Sequence, residues 1–379
     1  MSTFDPRSGT LSWRPLCVFM THHPRCNSMN ETWNTFLVGQ GARFDNGVLR
    51  DFGDASIEHR AWRDGNLLVD LSTLALLRVA GADAKSFLNG QLTNDLNMVD
   101  DAHSQLSAWC TAQGRMLSLL RVFQHGEGYL LQLPLEMRDE FIKRLRMFIL
   151  RAKVTVEDIG SQLAHFGMVG PDAARLLADT VGGAPEQNNQ SLTRDTLIVT
   201  RLPGIHPRFE IIAPHATAIA LWGKLRQHTA PAGPDAWAWH DIMAGIPTVL
   251  PPTREAFVPQ MANLELVSGV NFKKGCYPGQ EIVARMQYLG RLKQRMYRAH
   301  VAAEPPAPGT AIFSPGSEQS VGTVVDARPS PEGGSDLSAV IQITAVVAGD
   351  VRLGASDGAT LTVSPPPYSF DLFQTQKAS

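Results

Sequence analysis

The chain lacks three features that would each assign it to a broad class of protein. It contains no run of about 18 apolar residues, the length that spans a bilayer, so we expect no membrane partner. Its formal net charge is only −2 over 379 residues, so it has no overall positive field and we expect no direct contact with nucleic acid. Its four cysteines are too few and too scattered for a disulfide framework. Hydrophobic content of 44% with 18% charged residues indicates an ordinary globular protein.

The beginning of the chain also lacks a recognisable signal. It has no basic start followed by a continuous apolar stretch, and Asp5 comes early, so we expect a cytoplasmic protein with reduced thiols. Residues 1–52 are rich in polar residues and glycine without a sustained apolar period, which predicts a poorly ordered extension. The cysteines and histidines between residues 17 and 26 fit no standard zinc spacing, so we predict no metal site there.

The most informative segment that is present reads KKGCYPGQE at residues 273–281. Adjacent cations stabilise a thiolate, so Cys276 behind Lys273 and Lys274 is a candidate reactive or ligating thiol. Pro278 and Gly279 suit the central positions of a type II turn, which predicts a sharp bend just after the sulfur. The alternative interpretation is that Cys276 is a small buried apolar residue and the lysines are solvated.

This segment closely resembles the signature of the folate-binding YgfZ family, relatives of the glycine-cleavage T-protein, an aminomethyltransferase. Other blocks are similar to the same superfamily. They are VAGAD running into FLNGQLTND at residues 79–95, AWCTAQGR at 108–115, AGIP at 244–247 and FVPQ at 257–260. Together with the cysteine motif, the resemblance covers roughly residues 67–300.

The resemblance implies an α+β, T-protein-like fold, in which ferredoxin-like modules surround a central folate cavity and a small β-barrel follows. The strand and helix patterns agree with this order, since strand, helix, strand, strand, helix, strand is typical of a ferredoxin-like module. We predict four segments: the extension at 1–52, a first folate-binding module at 53–160, a second module carrying the motif at 161–290, and the barrel at 291–379.

The resemblance also implies site residues for tetrahydrofolate or another folate. Trp237 falls where the family places a tryptophan that lines the cavity, and its alternative role is core packing beside Trp239. Glu210 aligns with a glutamate that the T-protein uses against the pterin ring, and its alternative role is that of an exposed strand residue. A second family aromatic corresponds to Leu74.

Three cations near the motif are candidate ligands for the glutamate tail of the folate, since cations favour carboxylates. For each of them, surface solvation is the alternative. They are Lys273, Lys274 and Arg285.

One departure from the T-protein bears on the reaction. The T-protein has an Asp-Asp pair after a glycine turn, whereas this chain has Ser118 and Leu119 there. Neither residue can act as a general acid or base, so aminomethyl transfer is not expected. A [4Fe–4S] cluster typically needs four thiolates, and only Cys110 and Cys276 fall in the predicted folded body, so we expect no stable cluster in a monomer.

The leading hypothesis is a folate-binding protein that assists assembly or repair of iron–sulfur clusters in client enzymes, and thereby tRNA modification, with Cys276 as the functional thiol. Its expected partners are folate and iron–sulfur client or assembly proteins. Two alternatives stay open. One is a folate-dependent one-carbon transferase, and the other is a non-catalytic adaptor whose folate cavity is vestigial.

Overall fold

The computed structural model describes residues 30–290 and 292–369. The cysteines and histidines between residues 17 and 26 lie outside these ranges. Within them, no helix combines the length and apolarity that a bilayer crossing requires. In the same part of the chain, no three histidine, cysteine, aspartate or glutamate side chains are grouped so that they could hold a metal ion.

The elements before residue 73 include three within residues 30–52, and these correct the prediction of a poorly ordered extension for that part of it. In chain order, the elements before residue 73 are α1 (Glu31–Gly39), β1 (Arg43–Asp45), β2 (Val48–Asp51), α2 (Ala55–Ala61) and β3 (Leu67–Asp70). Helix α1 buries Trp33 and Leu37, and the Trp33 indole donates to the buried Asp70 carboxylate at 2.7 Å. The apolar pattern of α1 spans only nine residues, which is too short to be recognised by its period alone.

The first module is a five-stranded antiparallel sheet with helices on one face. Its elements are β4 (Leu74–Ala80), α3 (Ala84–Asn89), β5 (Gln105–Cys110), β6 (Met116–His125), β7 (Gly128–Pro134), α4 (Arg138–Arg146) and β8 (Thr155–Asp158). The sheet order is β5-β6-β7-β4-β8. Four of these strands have the ferredoxin-like order, and β5 is added at the edge. The sequence patterns missed β7, because β6 and β7 form a long apolar hairpin with a two-residue turn at residues 126–127.

The second module repeats this order, as the sequence predicted, but with a strand inserted. Its elements are β9 (Leu163–Val169), α5 (Ala173–Val181), β10 (Ser191–Arg194), β11 (Leu197–Leu202), β12 (Arg208–Pro214), α6 (His215–Leu225) and β13 (Ala230–Ala232). The order is β10-β11-β12-β9-β3-β13. Strand β3 therefore leaves the segment that we assigned to the first module and pairs with β9 and β13 in the second sheet.

Two further helices and a third sheet complete the fold. They are α7 (Pro234–Ala244), α8 (Gln280–Tyr288), β14 (Gln294–Val301), β15 (Ala311–Phe313), β16 (Ser320–Pro329), β17 (Ser335–Gln342), α9 (Ile343–Ala348), β18 (Arg352–Leu353) and β19 (Thr362–Ser364). The third sheet has the order β18-β15-β16-β17-β14-β19 and curls into a half-barrel. Strand β17 ends at Gln342, and α9 follows at once.

The first two sheets turn their helix-free faces toward each other. Leu76 and Leu130 of the first sheet share one apolar cluster with Ile198 and Ile212 of the second. On the opposite faces, α3 and α4 cover the first sheet, while α1, α5 and α6 cover the second. The arrangement leaves an inner space between the two sheets. One end of this space is apolar, the next part is polar, and the other end opens toward α7.

Replacing Trp33 tests whether α1 belongs to the folded body. Trp33→Ala should lower the free energy of unfolding by about 3–5 kcal/mol, because a fully buried aromatic side chain is removed. Trp33→Phe should cost less, since it keeps most of the packing and loses the hydrogen bond to Asp70. Urea unfolding measures both variants, and an unchanged midpoint for Trp33→Ala would show that α1 does not contribute to the core.

Candidate functional site

A cleft of about 340 Å³ opens where α7, the hairpin of β1 and β2, and the half-barrel meet the two facing sheets. A smaller space of about 90 Å³ continues it between the sheets. The two spaces share lining residues, among them Leu74, Trp237 and Asp241, so they form one continuous cleft. A volume of this size is typical of small-molecule sites, and the larger space is lined by twelve apolar and nine polar or charged residues.

Trp237 forms one wall of both parts of the cleft. Helix α7 begins at Pro234, where the missing N–H would have had no partner in the helix, and it brings Trp237 against β9. The ring lies directly on Gly167, since a Cβ at this glycine would be 2.2 Å from Cζ3 of Trp237. The guanidinium of Arg208 lies 4.6 Å from the ring centre on the indole, a cation–π contact. The tryptophan is thus held in a fixed orientation, although it is 4% exposed and also packs in the core.

Arg208 and Asp241 form a buried ion pair beside this ring. Arg208 is almost fully buried and donates to Asp241 Oδ1 at 2.7 Å. Asp241 lines both parts of the cleft and keeps about a third of its side chain exposed. The Asp241 carboxylate therefore lies at the cleft surface, and its partner Arg208 packs on the Trp237 ring.

A polar layer closes the inner end of the cleft. Gln132 and Arg121 line it, and Gln132 Nε2 donates to Glu210 Oε1 across the two sheets at 2.6 Å. His165 Nε2 lies 2.5 Å from the same oxygen, and Arg121 Nε lies 3.9 Å from Glu210 Oε2. Burial lowers the pKa of Arg121, which the charge of Glu210 opposes.

Glu210 thus lies behind the lining residues rather than among them. It is not the exposed strand residue of the alternative interpretation, since it is 1% exposed. Its Oε2 has no hydrogen-bond partner among the described residues. A ligand that displaced or reached past Gln132 or Arg121 would meet a carboxylate with spare acceptor capacity.

The residues that replace the acidic pair point in opposite directions. Ser118 is paired with Trp109, whose ring packs on Phe141 of α4, so Ser118 faces the helix layer. Leu119 is on the other face of β6 and lines the inner part of the cleft. The cleft wall is therefore apolar at Leu119, one of the two positions that correspond to the acidic pair of the T-protein.

The segment with Cys276 is held on the end of the first module. Gly279 has a φ of +81° and packs so closely on Gly114 and Thr111 that a Cβ would lie 2.4 Å from the Thr111 carbonyl. Tyr277 is buried, and its neighbour Cys276 is exposed. Cys110 lies buried in the core, and burial raises the pKa of its thiol to about 12. Cys276 is therefore the accessible thiol of the two in the described part of the chain.

The three cations predicted for the folate tail have different surroundings. Lys274 is buried and donates to the carbonyls of Asn89 and Leu92 at 2.5 and 2.6 Å, so it anchors the loop. Burial lowers its pKa to about 8, although Asp95 opposes the shift. Lys273 and Arg285 are exposed, and Arg285 lies 3.4 Å from Glu281.

None of these motif residues lines the cleft in the described structure. The first module separates them, since the loop lies at the turn between β5 and β6 while the cleft reaches Leu106 at the other end of β5. Five residues at about 3.3 Å each place these ends about 17 Å apart. The structure therefore brings Trp237 and Glu210 to the cleft region and places Cys276, Lys273, Lys274 and Arg285 on a separate face.

Sequence reasoning missed several polar residues of the cleft region. Arg121 and Gln132 interrupt apolar strands, and a charged or amide residue inside such a strand was a usable signal. Arg50 and Arg328 are cations that line the outer cleft. Arg50 was missed because its hairpin was assigned to the extension. Arg328 follows the buried Asp326, whose pKa burial raises to about 6.

Comparisons with known proteins identify relatives of this chain. The profile of the family described as "GCVT N-terminal domain" matches residues 43–202. A "tRNA-modifying protein YgfZ" from Cronobacter sakazakii is 32% identical over 311 residues, covering 80% of this chain and 93% of the relative. A protein of the same name from Escherichia coli O157:H7 is 30% identical over 309 residues, covering 80% and 94%.

Among solved structures, the glycine cleavage system aminomethyltransferase T from Bartonella henselae superposes with a TM-score of 0.72. It is 19% identical and the match covers 88% of this chain and 95% of that one. At this identity the similarity concerns the fold alone. The T-protein-like fold expected from the sequence is thereby confirmed.

Gly167→Ala tests the contact that fixes Trp237. The added methyl group has no room unless the indole moves, so the variant should lose about 1–3 kcal/mol of stability. Gly223→Ala is the matched control, since a Cβ there meets nothing within 4 Å and it lies in helix α6. That control should be neutral or more stable by about 0.5–1 kcal/mol. Equal thermal midpoints for the two variants would contradict the packing described here.

The buried His240 predicts a pH dependence of stability. Burial, and secondarily the charge of Arg208, lower its pKa to about 3 from an ordinary value of 6.5. Below pH 6.5 the unfolded chain therefore binds a proton that the native state does not, and stability falls as the pH decreases. This group should contribute a slope of about 1.4 kcal/mol per pH unit between about pH 5.5 and 4. His240→Gln should be correspondingly less sensitive in urea titrations, and identical slopes would contradict the assignment.

Proposed function

Because the chain belongs to the YgfZ family, we propose that it is a tetrahydrofolate-binding protein that assists assembly or repair of iron–sulfur clusters in client enzymes. The relatives are named tRNA-modifying proteins, and we extend that role to this chain as an indirect one, through clients that act on tRNA. The observation that carries the proposal is the cleft, which has a fixed aromatic wall and a polar inner end but an apolar residue at position 119.

The residues of the cleft fit a folate. The pterin of tetrahydrofolate keeps a flat pyrimidinone ring with several N–H donors, and the Trp237 indole lines the cleft beside the Gln132 amide, the Asp241 carboxylate and the Arg121 guanidinium. Glu210 adds an unpartnered carboxylate oxygen behind Gln132. When bound, tetrahydrofolate supplies a carrier for one-carbon units.

The cations at the outer cleft suit the other end of such a ligand. Arg50 on β2 and Arg328 on β16 line the opening, whereas the lysines of the cysteine motif do not. We therefore assign the carboxylates of the folate tail to these two arginines in place of Lys273, Lys274 and Arg285. Arg328 already contacts Asp326 and Asp235, so Arg50 is the freer of the two.

Several features of this cleft argue against aminomethyl transfer. The side chain at position 119 is leucine and Ser118 faces α4, so neither can receive or donate a proton at a bound folate. Asp241 and Asp326, which also line the cleft, are each engaged by an arginine. In this interpretation the protein binds folate without using a dedicated carboxylate at that wall.

Cys276 gives the protein a second functional element on another face. Its thiol is exposed, and the loop around it is fixed by the buried Lys274 and by the close packing of Gly279. We assign the contact with iron–sulfur clients to this thiol, either as a ligand or as a sulfur-linked intermediate. Folate binding and thiol chemistry would then take place on separate surfaces of the protein.

A deletion strain tests the proposed function. The wild-type gene should restore the activity of a radical enzyme that thiolates tRNA, measured as the amount of modified nucleoside, and Cys276→Ala should not. Cys276→Ala should keep the tetrahydrofolate-induced rise in melting temperature, because the thiol does not line the cleft. Full restoration by Cys276→Ala would exclude a thiol role, and no rise with wild-type protein would exclude folate binding.

A further inference from the structure

Exposed apolar side chains are concentrated in two short segments. Ten large apolar residues are exposed in the described part of the chain, and five of them lie in these segments. Met147, Phe148 and Leu150 follow α4 and are 61, 48 and 89% exposed. Tyr288 and Leu289 end α8 and are 68 and 83% exposed. Clustered exposure of this kind marks interaction sites more often than isolated apolar residues do.

The first segment lies next to the cysteine loop. The ring of Phe148 is 5.9 Å from that of Trp109, and the Trp109 indole donates to Gln91 at 3.3 Å. The neighbouring Leu92 carbonyl accepts from Lys274, two residues before the exposed thiol. A short chain of contacts therefore connects this segment to Cys276.

The second segment is connected to the same loop through α8. This helix begins at Gln280, four residues after Cys276, and ends at Tyr288. The Tyr288 ring packs on Phe272, 6.0 Å away, just before the KKGC sequence. Both apolar segments are therefore linked to the loop that carries the exposed thiol.

The charge of the first segment is strongly positive. Residues 143–153 contain five cations and no acidic residue in a chain whose net charge is −2, namely Lys143, Arg144, Arg146, Arg151 and Lys153. Arg144 is near Glu140 and Glu255. Lys143, Arg151 and Lys153 are exposed and form no ion pair with any described residue. The nearest carboxylate to Lys153, that of Asp83, accepts the backbone N–H of this lysine.

We propose that this surface, made of Met147, Phe148, Leu150, Tyr288, Leu289 and the cations Lys143, Arg151 and Lys153, docks a protein whose own surface is acidic and carries apolar side chains. The cations favour an acidic partner. Burial of the aliphatic side chains of Met147 and Leu150 is favourable only against apolar side chains of that partner. RNA fits less well, since single-stranded RNA uses aromatic faces for stacking, and three of the five apolar side chains, Met147, Leu150 and Leu289, are not aromatic.

The inference rests on the proposed function and deepens it, because it names the surface on which a client or assembly protein would meet the thiol. The partner would cover Cys276 when docked, placing its acidic residues on α4 and its apolar residues on both segments. Folate in the cleft would stay accessible, since the surface residues do not line it.

A matched pair of double variants tests the surface. Leu150→Asp with Lys143→Glu changes the surface, and Val347→Asp with Lys224→Glu makes equivalent changes elsewhere. Val347 is 72% exposed on α9, and Lys224 is in the last turn of α6 as Lys143 is in the last turn of α4. Both variants should keep the melting temperature and the tetrahydrofolate-induced shift of the wild type.

In the deletion strain, the surface variant should lower the amount of thiolated nucleoside about tenfold, because replacing residues at the centre of an interface typically weakens binding tenfold or more. The control variant should restore the nucleoside fully. Full restoration by the surface variant would overturn the docking surface and leave the proposed function standing. If the wild-type gene itself fails to restore the nucleoside, the proposed function falls first, and the docking surface, which rests on it, falls with it.

A photo-reactive residue at position 150 of the full chain identifies the class of occupant, with position 347 as control. The proposal is supported by a protein adduct that forms at position 150 but not at position 347. This adduct should resist ribonuclease and disappear with Lys143→Glu, and the surface variant should also lower the amount of thiolated nucleoside. An adduct that ribonuclease removes would assign the surface to RNA. An adduct of twice the chain mass would assign it to a second copy. Either result would overturn the proposal.

Discussion

The carboxylate of Glu210, buried between the two facing sheets, is the constraint on which the rest of the site depends. Burying an unpaired charge is costly, so the structure must supply donors on both sides. Gln132 supplies one from the first sheet, His165 lies against the same oxygen from the second, and Arg121 adds a positive charge at 3.9 Å. This layer holds the two sheets in register and separates the apolar cluster beyond it from the open cleft.

On the cleft side of that layer, packing determines where a ligand can lie. Gly167 lacks a side chain at the one position where Trp237 must approach β9, and Arg208 covers the indole while pairing with Asp241. Helix α7 therefore holds one aromatic ring and one carboxylate in a fixed relation at the cleft wall. Strand β3, which crosses from the first half of the chain into the second sheet, makes the two modules structurally dependent on each other.

The sequence predicted the fold through local blocks and predicted the site only in part. The KKGCYPGQE motif identified the family, which comparison confirms. The resemblance to that family also singled out Trp237, which lines the cleft, and Glu210, which lies just behind the lining residues. Lys274 looked like a surface cation because its two carbonyl acceptors come from residues about 180 positions earlier in the chain. The separation of Cys276 from the cleft depends on which end of a strand a loop packs against, and no local pattern contains that information. The helix with Trp33 was missed because it has only nine residues, and its contacts with β3 and α6 come from residues distant in the sequence.

The central claim is that a folate binds between the two sheets with its ring on Trp237, apart from the face that carries the thiol. A crystal structure of the full chain soaked with tetrahydrofolate tests this most directly. The account predicts pterin density between Trp237 and the layer of Gln132 and Arg121, with the tail directed toward Arg50. Pterin density against Cys276, or an unliganded cleft in crystals that bind folate elsewhere, would contradict it.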